Sequence, residues 1–351
     1  MWRIALLAVL ALLAAPAMPN DAAAQSKELL LYNWSNYMPA ELLKRFEAET
    51  GIKVTLDVYD TNETMMAKLQ AGGTGYDIVV PTTGPTLGQM ISDGMLIKID
   101  VGQMANFKNV RAPFNRLELD PERAYSAPYL WGTTGIAYDT TKVNGGKLDD
   151  SWKELFEPRP ELVGKIGMLS AMDEVFTAAA HYLGIDACTE KPEDGQKILD
   201  LLTRQKPAVK VYNASGTADR VAAGEVAMQH MWNGAFFRAQ KKLPTLAYIY
   251  PREGANLWGD NFVVPKGARN VENAKVFINW MMDPKNIAEA SNALGYNNAI
   301  EGSEQYFIDA IRNNPAINTP KEIVEQRLKP LHVCSRADID LRERVWTRLR
   351  R

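Results

Sequence analysis

The N-terminal third of the chain alternates strand-like and helix-like segments, and this order constrains the fold more than any other feature of the sequence. A short apolar run at Lys27–Trp34 is followed by a helical pattern that opens at Pro39 and stops at Gly51. Ile52–Val58 then alternates apolar and polar residues, which is the period of a β-strand. A strand, a helix and a second strand in so short a stretch predict a parallel β-α-β unit.

The alternation continues along the chain and predicts the α/β class. With 351 residues and 46% hydrophobic content, the chain is long enough for two domains. No long Gly/Ser-rich or Pro-rich linker separates them, so we expect short crossing segments that act as a hinge between two lobes. Further helices are predicted at Glu63–Ala71, Pro85–Gly94, Val175–Leu183, Gly195–Arg204, Ala218–Ala223 and Val271–Met282, and further strands at Tyr76–Val80, Val226–Met231, Leu246–Tyr250 and Asn261–Val264.

The first 24 residues are predicted to be an export signal. Arg3 supplies the positive start, Ile4–Met18 is apolar, and Ala22–Ala24 offers the small residues that a signal peptidase recognises. The apolar run is about fifteen residues long, which is shorter than the roughly 20 residues that span a bilayer. We therefore predict cleavage near Ala24, with an uncleaved anchor as the alternative.

Export changes how the two cysteines are interpreted. Cys188 and Cys334 are far apart in the sequence, and an oxidising compartment permits them to pair. The sequence leaves open a disulfide and two buried thiols.

Composition and motif searches exclude several classes of function. The chain carries 40 Lys and Arg against 42 Asp and Glu, so no basic excess is present to bind nucleic acid. With only 2 Cys and 3 His, the usual zinc sites are disfavoured. His181, His230 and His332 are expected to be packed or solvated, and no G-x-S-x-G, H-E-x-x-H or phosphate-binding loop motif occurs. We therefore predict no catalytic residue, no metal and no cofactor.

Four tryptophans are more informative, because they are expected at strand ends beside Gly, Asn or Asp residues. These are Trp34, Trp131, Trp232 and Trp258. In open α/β sheets, ligands bind beyond the carboxyl ends of the strands. Indole faces attract an alkylammonium ion, and a nearby carboxylate accepts its N–H bonds. The alternative is that each tryptophan only fills the interface between the lobes.

These aromatic residues lie in motifs through which the chain resembles the spermidine/putrescine-binding family, the periplasmic polyamine-binding proteins of ABC importers. The resemblance implies a type II periplasmic-binding fold, in which two α/β lobes are joined by a hinge near Gly135 and Gly259 with the ligand cleft between them. The motifs are YNWSNY (Tyr32–Tyr37), ETGIKV (Glu49–Val54), YDIVVPT (Tyr76–Thr82), PYLWGTTGIAY (Pro128–Tyr138), DEVF (Asp173–Phe176), MWNG (Met231–Gly234) and LWGDNF (Leu257–Phe262).

The resemblance also implies a division of the chain and a function. Residues 1–24 are the signal peptide, 26–135 plus 260–305 form lobe 1, and 136–259 plus 306–351 form lobe 2. The implied protein is a monomer in the periplasm that captures a putrescine-like or spermidine-like amine and delivers it to the permease subunits of an ABC importer, without catalysis.

Carried over by position, ten residues line the ligand slot: Trp34, Ser35, Asn36, Tyr37, Thr82, Glu174, Trp232, Trp258, Asp260 and Tyr296. The chain departs from the family pattern at Asn36, where the family usually has an acid, and at Ala171 and Ala235, where some members have an aspartate. Glu174 and Asp260 are therefore the expected carboxylates. Two carboxylates balance a diamine and serve a triamine less well, because an uncompensated buried charge is costly.

The sequence leaves rival functions open. The reduced charge would also fit another small amine, a guanidino compound or an amino-acid-like ligand. An enzyme that processes small amines on the same fold is a further alternative, as is a sensory protein that binds its ligand for a receptor.

Overall fold

The structure is a computed structural model that describes residues 26–72 and 75–351. The predicted signal peptide and its cleavage position near Ala24 lie outside these residues. In the described part of the chain, no helix has both the length and the apolar composition needed to cross a membrane.

Strands and helices alternate through most of the chain. The strands are β1 (Glu28–Trp34), β2 (Lys53–Tyr59), β3 (Ile78–Val79), β4 (Ser126–Asp139), β5 (Ile166–Met168), β6 (Val209–Tyr212), β7 (Met228–Trp232), β8 (Leu246–Ile249), β9 (Ala255–Val263), β10 (Asn297–Asn298) and β11 (Leu328–Pro330). The helices are α1 (Ala40–Thr50), α2 (Asn62–Gln70), α3 (Pro85–Ser92), α4 (Lys153–Phe156), α5 (Met172–Leu183), α6 (Pro192–Gln205), α7 (Thr217–Ala222), α8 (Asn233–Gln240), α9 (Val271–Met281), α10 (Pro284–Leu294), α11 (Asp309–Arg312), α12 (Lys321–Arg327) and α13 (Arg336–Arg350). The predicted α/β class is confirmed.

The strands form one mixed sheet in the order β2-β1-β3-β9-β4-β7-β5-β6, with β8 and β10 paired to β4 and β11 paired to β9. Strand β1 is parallel to β2 over its whole length, from Glu28 opposite Lys53 to Trp34 opposite Tyr59. The predicted parallel β-α-β unit is therefore confirmed. Its helix α1 buries Leu42 and ends at Gly51, whose φ of 73° is a left-handed conformation that glycine adopts without strain.

Strands β4 and β9 occupy the middle of the sheet and connect its two halves. The first residues of β4 pair with the end of β9, and its last residues pair with β7. Nearly every residue of β4 is buried, so the strand has no alternation of apolar and polar residues by which the sequence could reveal it. Two large hydrophobic cores flank this pair of strands. The first includes Phe46, Phe262 and Phe277, and the second includes Trp152 and Phe176.

The structure resolves the question of the cysteines in favour of a disulfide. Cys188 and Cys334 are bonded, with their Cα atoms 5.2 Å apart. The bond joins the segment that follows α5 to the segment that precedes α13.

Two of the three histidines are packed, as expected. His230 lies edge-on against Trp152 at 5.4 Å between ring centroids, and burial lowers the pKa of His230 to about 3. Burial also lowers the pKa of His181 to about 4. His332 is exposed near the end of the chain.

Candidate functional site

A cavity of about 450 Å³ is lined by residues from both halves of the sheet. Every residue that the resemblance implied lines it: Trp34, Ser35, Asn36, Tyr37, Thr82, Glu174, Trp232, Trp258, Asp260 and Tyr296. Ala171 and Ala235, the two small residues at positions where some family members carry an acid, line it as well. The structure thus brings together residues that are as much as 262 positions apart in the sequence (296 − 34 = 262).

The carboxyl end of β1 forms one wall of the cavity. Trp34 ends the strand, and its indole Nε1 donates a hydrogen bond to the Val80 carbonyl at 2.8 Å, just beyond β3. Asn36 follows in a turn with a φ of 56°, a left-handed conformation that Asn tolerates better than most residues. The neighbouring parallel strand therefore fixes the orientation of the indole.

Glu174 is a buried carboxylate held by three donors from three strands. Its Oε1 accepts hydrogen bonds from Thr134 Oγ1 at 2.8 Å and from Trp232 Nε1 at 3.0 Å. Its Oε2 accepts one from Asn256 Nδ2 at 2.7 Å. Burial raises the pKa of Glu174, although all three bonds favour the ionised form. These three donors belong to β4, β7 and β9, and together they fix the position of the Glu174 carboxylate.

Asp260 is a second buried carboxylate, with fewer donors. Residue 82 forms an antiparallel bridge with Asp260, and Thr82 Oγ1 donates to Asp260 Oδ1 at 2.7 Å. Burial raises the pKa of Asp260 to about 7, and the charge of Glu174 adds to the rise. The Tyr37 hydroxyl is buried beside Asp260, and burial together with the charge of Asp260 raises the pKa of Tyr37 well above its ordinary value. A cation next to Asp260 would compensate its charge.

Two aromatic groups surround these carboxylates. Tyr37, Trp258 and Tyr296 pack with ring centroids 5.3 to 6.5 Å apart. On the other side, the rings of Trp34 and Trp232 meet edge to face at 6.3 Å. A Cβ atom at Gly234 would lie 2.3 Å from the ring of Tyr296, so this ring position requires glycine at 234.

The expected strand-end placement is correct for Trp34 and Trp232 and wrong for the other two tryptophans. Trp131 lies inside β4 away from the cavity, donates from Nε1 to the Asn298 carbonyl at 3.0 Å, and stacks on Phe114. Trp258 lines the cavity from the interior of β9. Trp258 reaches the cavity because β9 is a long strand that runs past it, so a residue in its middle can line the same cavity as a residue at the end of a short strand.

Glu174 and Asp260 are not the only ionisable side chains that line the cavity. The cavity is lined in addition by the acids Asp60, Glu63, Asp173 and Asp219 and by the bases Arg238, Lys241 and Lys242. A sequence signal for two of the acids existed, since Asp60 and Glu63 follow β2, whose carboxyl end lies beside that of the parallel strand β1.

The donor set does not favour a metal. Among the described residues, no group of three or more His, Cys, Asp or Glu side chains is placed to hold a metal ion. The cavity instead combines separate carboxylates with indole and phenol rings, which is the chemistry that binds an organic cation.

Comparisons with known proteins all match the chain to solute-binding proteins. Residues 41–319 match the family model described as bacterial extracellular solute-binding protein. The chain is 34% identical over 321 residues to the putrescine-binding periplasmic protein SpuD of Pseudomonas aeruginosa (strain UCBPP-PA14), with 87% of each chain covered. It is 31% identical over 344 residues to the putrescine-binding periplasmic protein PotF of Escherichia coli (strain K12), covering 93% of this chain and 92% of the relative.

The fold is also similar to that of a solved substrate-binding protein. The spermidine/putrescine ABC transporter substrate-binding protein PotD from Streptococcus pneumoniae strain Canada MDR_19A superposes with a TM-score of 0.73 at 28% sequence identity. The match covers 93% of this chain and 100% of that chain. The likeness therefore extends over the whole arrangement of strands and helices that positions the cavity.

Proposed function

The chain belongs to the family of bacterial extracellular solute-binding proteins, and we propose that it binds an aliphatic polyamine of the putrescine or spermidine type for an ABC importer. Its fold is the predicted type II periplasmic-binding fold. The observation that carries the proposal is the pair of buried carboxylates, Glu174 and Asp260, in a cavity walled by indole and phenol rings.

The chemistry of the cavity supports a cationic ligand. Burial destabilises the ionised form of Asp260, and an ammonium group beside it would compensate the negative charge. Each indole face adds about 0.5–2 kcal/mol of cation–π attraction and covers the methylene groups between two ammonium groups. The three donors on Glu174 hold its carboxylate in position before the ligand arrives, so little ordering cost is added on binding.

We propose the lobe boundaries given by the sequence, 26–135 plus 260–305 and 136–259 plus 306–351. Support comes from the two hydrophobic cores, since the first draws its residues from 29–130 and 258–300 and the second from 136–249 and 345–349. The crossing would then occur on the paired strands β4 and β9, near Gly135 and Gly259. Closure of the lobes around the ligand would be the mechanism, with no bond made or broken.

Export is part of the same proposal. The signal peptide would be cleaved near Ala24, and the mature protein would act in the periplasm as a monomer that docks on permease subunits. Support comes from the relatives of Pseudomonas aeruginosa and Escherichia coli, which are periplasmic binding proteins.

Isothermal titration calorimetry with putrescine, spermidine, cadaverine, agmatine and γ-aminobutyrate tests the proposal. We expect at least one of the amines to bind with a dissociation constant well below about millimolar. Tight binding of γ-aminobutyrate alone would favour the amino-acid-like alternative, and binding of none would refute the amine proposal. Mass spectrometry of the amine after prolonged incubation addresses the enzyme alternative, because a binding protein returns it unchanged.

A further inference from the structure

Beyond Glu174 and Asp260, the cavity contains an acidic end that the family resemblance did not imply. Glu63, in the first turn of α2, reaches the first residue of α5, where its Oε1 accepts a hydrogen bond from the Met172 backbone N–H at 3.0 Å. This contact places the carboxylate beside Ala171, whose side chain is only a methyl group and which also lines the cavity. Glu63 therefore brings a carboxylate from α2 to the position beside Ala171, where the side chain of residue 171 itself carries no charge.

The second carboxylate oxygen of Glu63 is free to bind a ligand. Glu63 Oε2 is buried and has no hydrogen-bond partner among the described residues. Asp60, three residues earlier on the same wall, likewise has a buried Oδ1 without a partner in the described part of the chain. A buried carboxylate oxygen without a donor is costly, which makes this end of the cavity a place where N–H donors would be stabilised.

Charge pairing distinguishes Glu63 from two other acids of the cavity wall, Asp173 and Asp219. Asp219 pairs with Lys242 at 2.7 Å, and Asp173 lies 3.5 Å from the Arg342 guanidinium. No Lys or Arg forms an ion pair with Glu63 within residues 26–72 and 75–351. Burial and the charge of Asp173 together raise the pKa of Glu63 to about 7, so the two neighbouring carboxylates repel each other in the absence of a cation.

We propose that Glu63 is the central residue of a second ammonium-binding site, at the α5 end of the cavity, and that it makes the protein prefer an aliphatic triamine to a diamine. The inference rests on the proposed function and specifies its ligand class. Three places in the cavity hold carboxylates without a Lys or Arg ion-pair partner in the described residues: Asp260, Glu174, and the acidic end formed by Glu63 with Asp60. Three such places match the three charges of a molecule such as spermidine. Putrescine would leave Glu63 uncompensated.

Titration of the wild-type protein and of Glu63→Gln with spermidine and putrescine tests this site. Glutamine keeps an oxygen for the Met172 N–H and removes the charge. We expect the wild-type protein to bind spermidine more tightly than putrescine. The variant should lose about tenfold or more in spermidine affinity, while its putrescine affinity changes by less than about threefold. Glu41→Gln is the matched control, because Glu41 occupies the first turn of α1 on the surface, outside the cavity.

The outcomes separate this inference from the proposed function. If the wild-type protein binds neither amine, the proposed function fails. If it binds them but Glu63→Gln weakens both equally or neither, the second site is refuted while the function stands. If circular dichroism shows that the variant does not fold, the second site is tested on the wild-type protein instead. The measurement is then the ratio of its spermidine affinity to its putrescine affinity between pH 5.5 and pH 8.

The expected direction of that ratio follows from the groups around Glu63. Asp173 on α5 and Asp60 before α2 are acids on the cavity wall, and Arg342 of α13 lies behind Asp173. Protonation of Glu63 at low pH removes the charge that only the triamine uses, so the ratio should rise as the pH rises. Asp260 and Glu174 serve both amines, and their titration leaves the ratio unchanged. A constant ratio would refute the second site.

Discussion

Replacing Asp260 with asparagine should stabilise the ligand-free protein and weaken its affinity for amines. Burial raises the pKa of Asp260 from an ordinary 3.8 to about 7, so the folded protein retains a proton that the unfolded chain releases between these pH values. A carboxyl whose pKa is raised on folding costs stability progressively as the pH increases from about 4 to about 7. The asparagine side chain would keep an oxygen for the Thr82 hydroxyl without carrying a charge.

The magnitude follows from the pKa difference. One pKa unit corresponds to about 1.4 kcal/mol, so the ionised Asp260 costs the ligand-free protein roughly 4 kcal/mol above pH 7. Below pH 4 the cost vanishes, because the group is protonated in both states. The difference in unfolding free energy between Asp260→Asn and wild type should therefore grow by several kcal/mol from pH 4 to pH 8, in favour of the variant.

Urea unfolding followed by circular dichroism at pH 4, 5, 6, 7 and 8 measures this difference. Asp309→Asn removes the same charge from an exposed position and serves as the control. In parallel, calorimetry at pH 8 should show a loss of about 2–5 kcal/mol in amine binding by Asp260→Asn, since a buried ammonium would lack its partner. A difference in unfolding free energy that stays constant with pH would refute the argument that burial perturbs Asp260.

Three further perturbations have defined outcomes. Glu174→Gln should weaken amine binding by about 2–5 kcal/mol in calorimetry, because the ligand loses a buried counter-charge; unchanged affinity would remove Glu174 from the site. Gly234→Ala should destabilise the protein by about 1–3 kcal/mol in thermal unfolding and weaken binding, since its Cβ would lie 2.3 Å from the Tyr296 ring. Gly259→Ala is the control for the unfolding measurement, because a Cβ at Gly259 would meet atoms no closer than 3.7 Å. Replacing both Cys188 and Cys334 with serine should lower the unfolding free energy by about 2–5 kcal/mol, because the disulfide closes a chain segment with a sequence separation of 146; an unchanged melting temperature would contradict this.

Much of the fold could be predicted because its signals are local. The apolar run of β1 and the periodicities of α1 and β2 are visible in the residues themselves, and the parallel pairing of the two strands follows from the short helical connection. Strand β4 could not be predicted, because it is buried on both faces and has no period-2 pattern. The same strand explains the wrong placement of Trp131, since a residue inside an antiparallel crossing strand cannot be told from one at a strand end without the pairing.

The candidate site likewise contains residues that the sequence could predict and residues whose role depends on long-range contacts. All ten residues expected from the resemblance line the cavity. Nine of them lie in the quoted motifs, on strands, in turns or, for Glu174, in the first turn of α5, and Tyr296 lies outside these motifs. Glu63 follows β2, so its place on the cavity wall could have been predicted, but its contact with Met172, which lies 109 residues later in the chain, could not. No spacing rule connects two such positions.

The amino-acid sequence alone determined the class of fold, the order of its first elements and the chemical character of the cavity, because periodicity, turn residues and aromatic motifs act over a few residues. Tertiary structure decided the rest: the central pair of crossing strands, the bond between Cys188 and Cys334, and which acids face one another across the cavity. These features depend on the path of the chain through space, since burial and charge repulsion act between groups that are near in the folded protein and distant in the sequence.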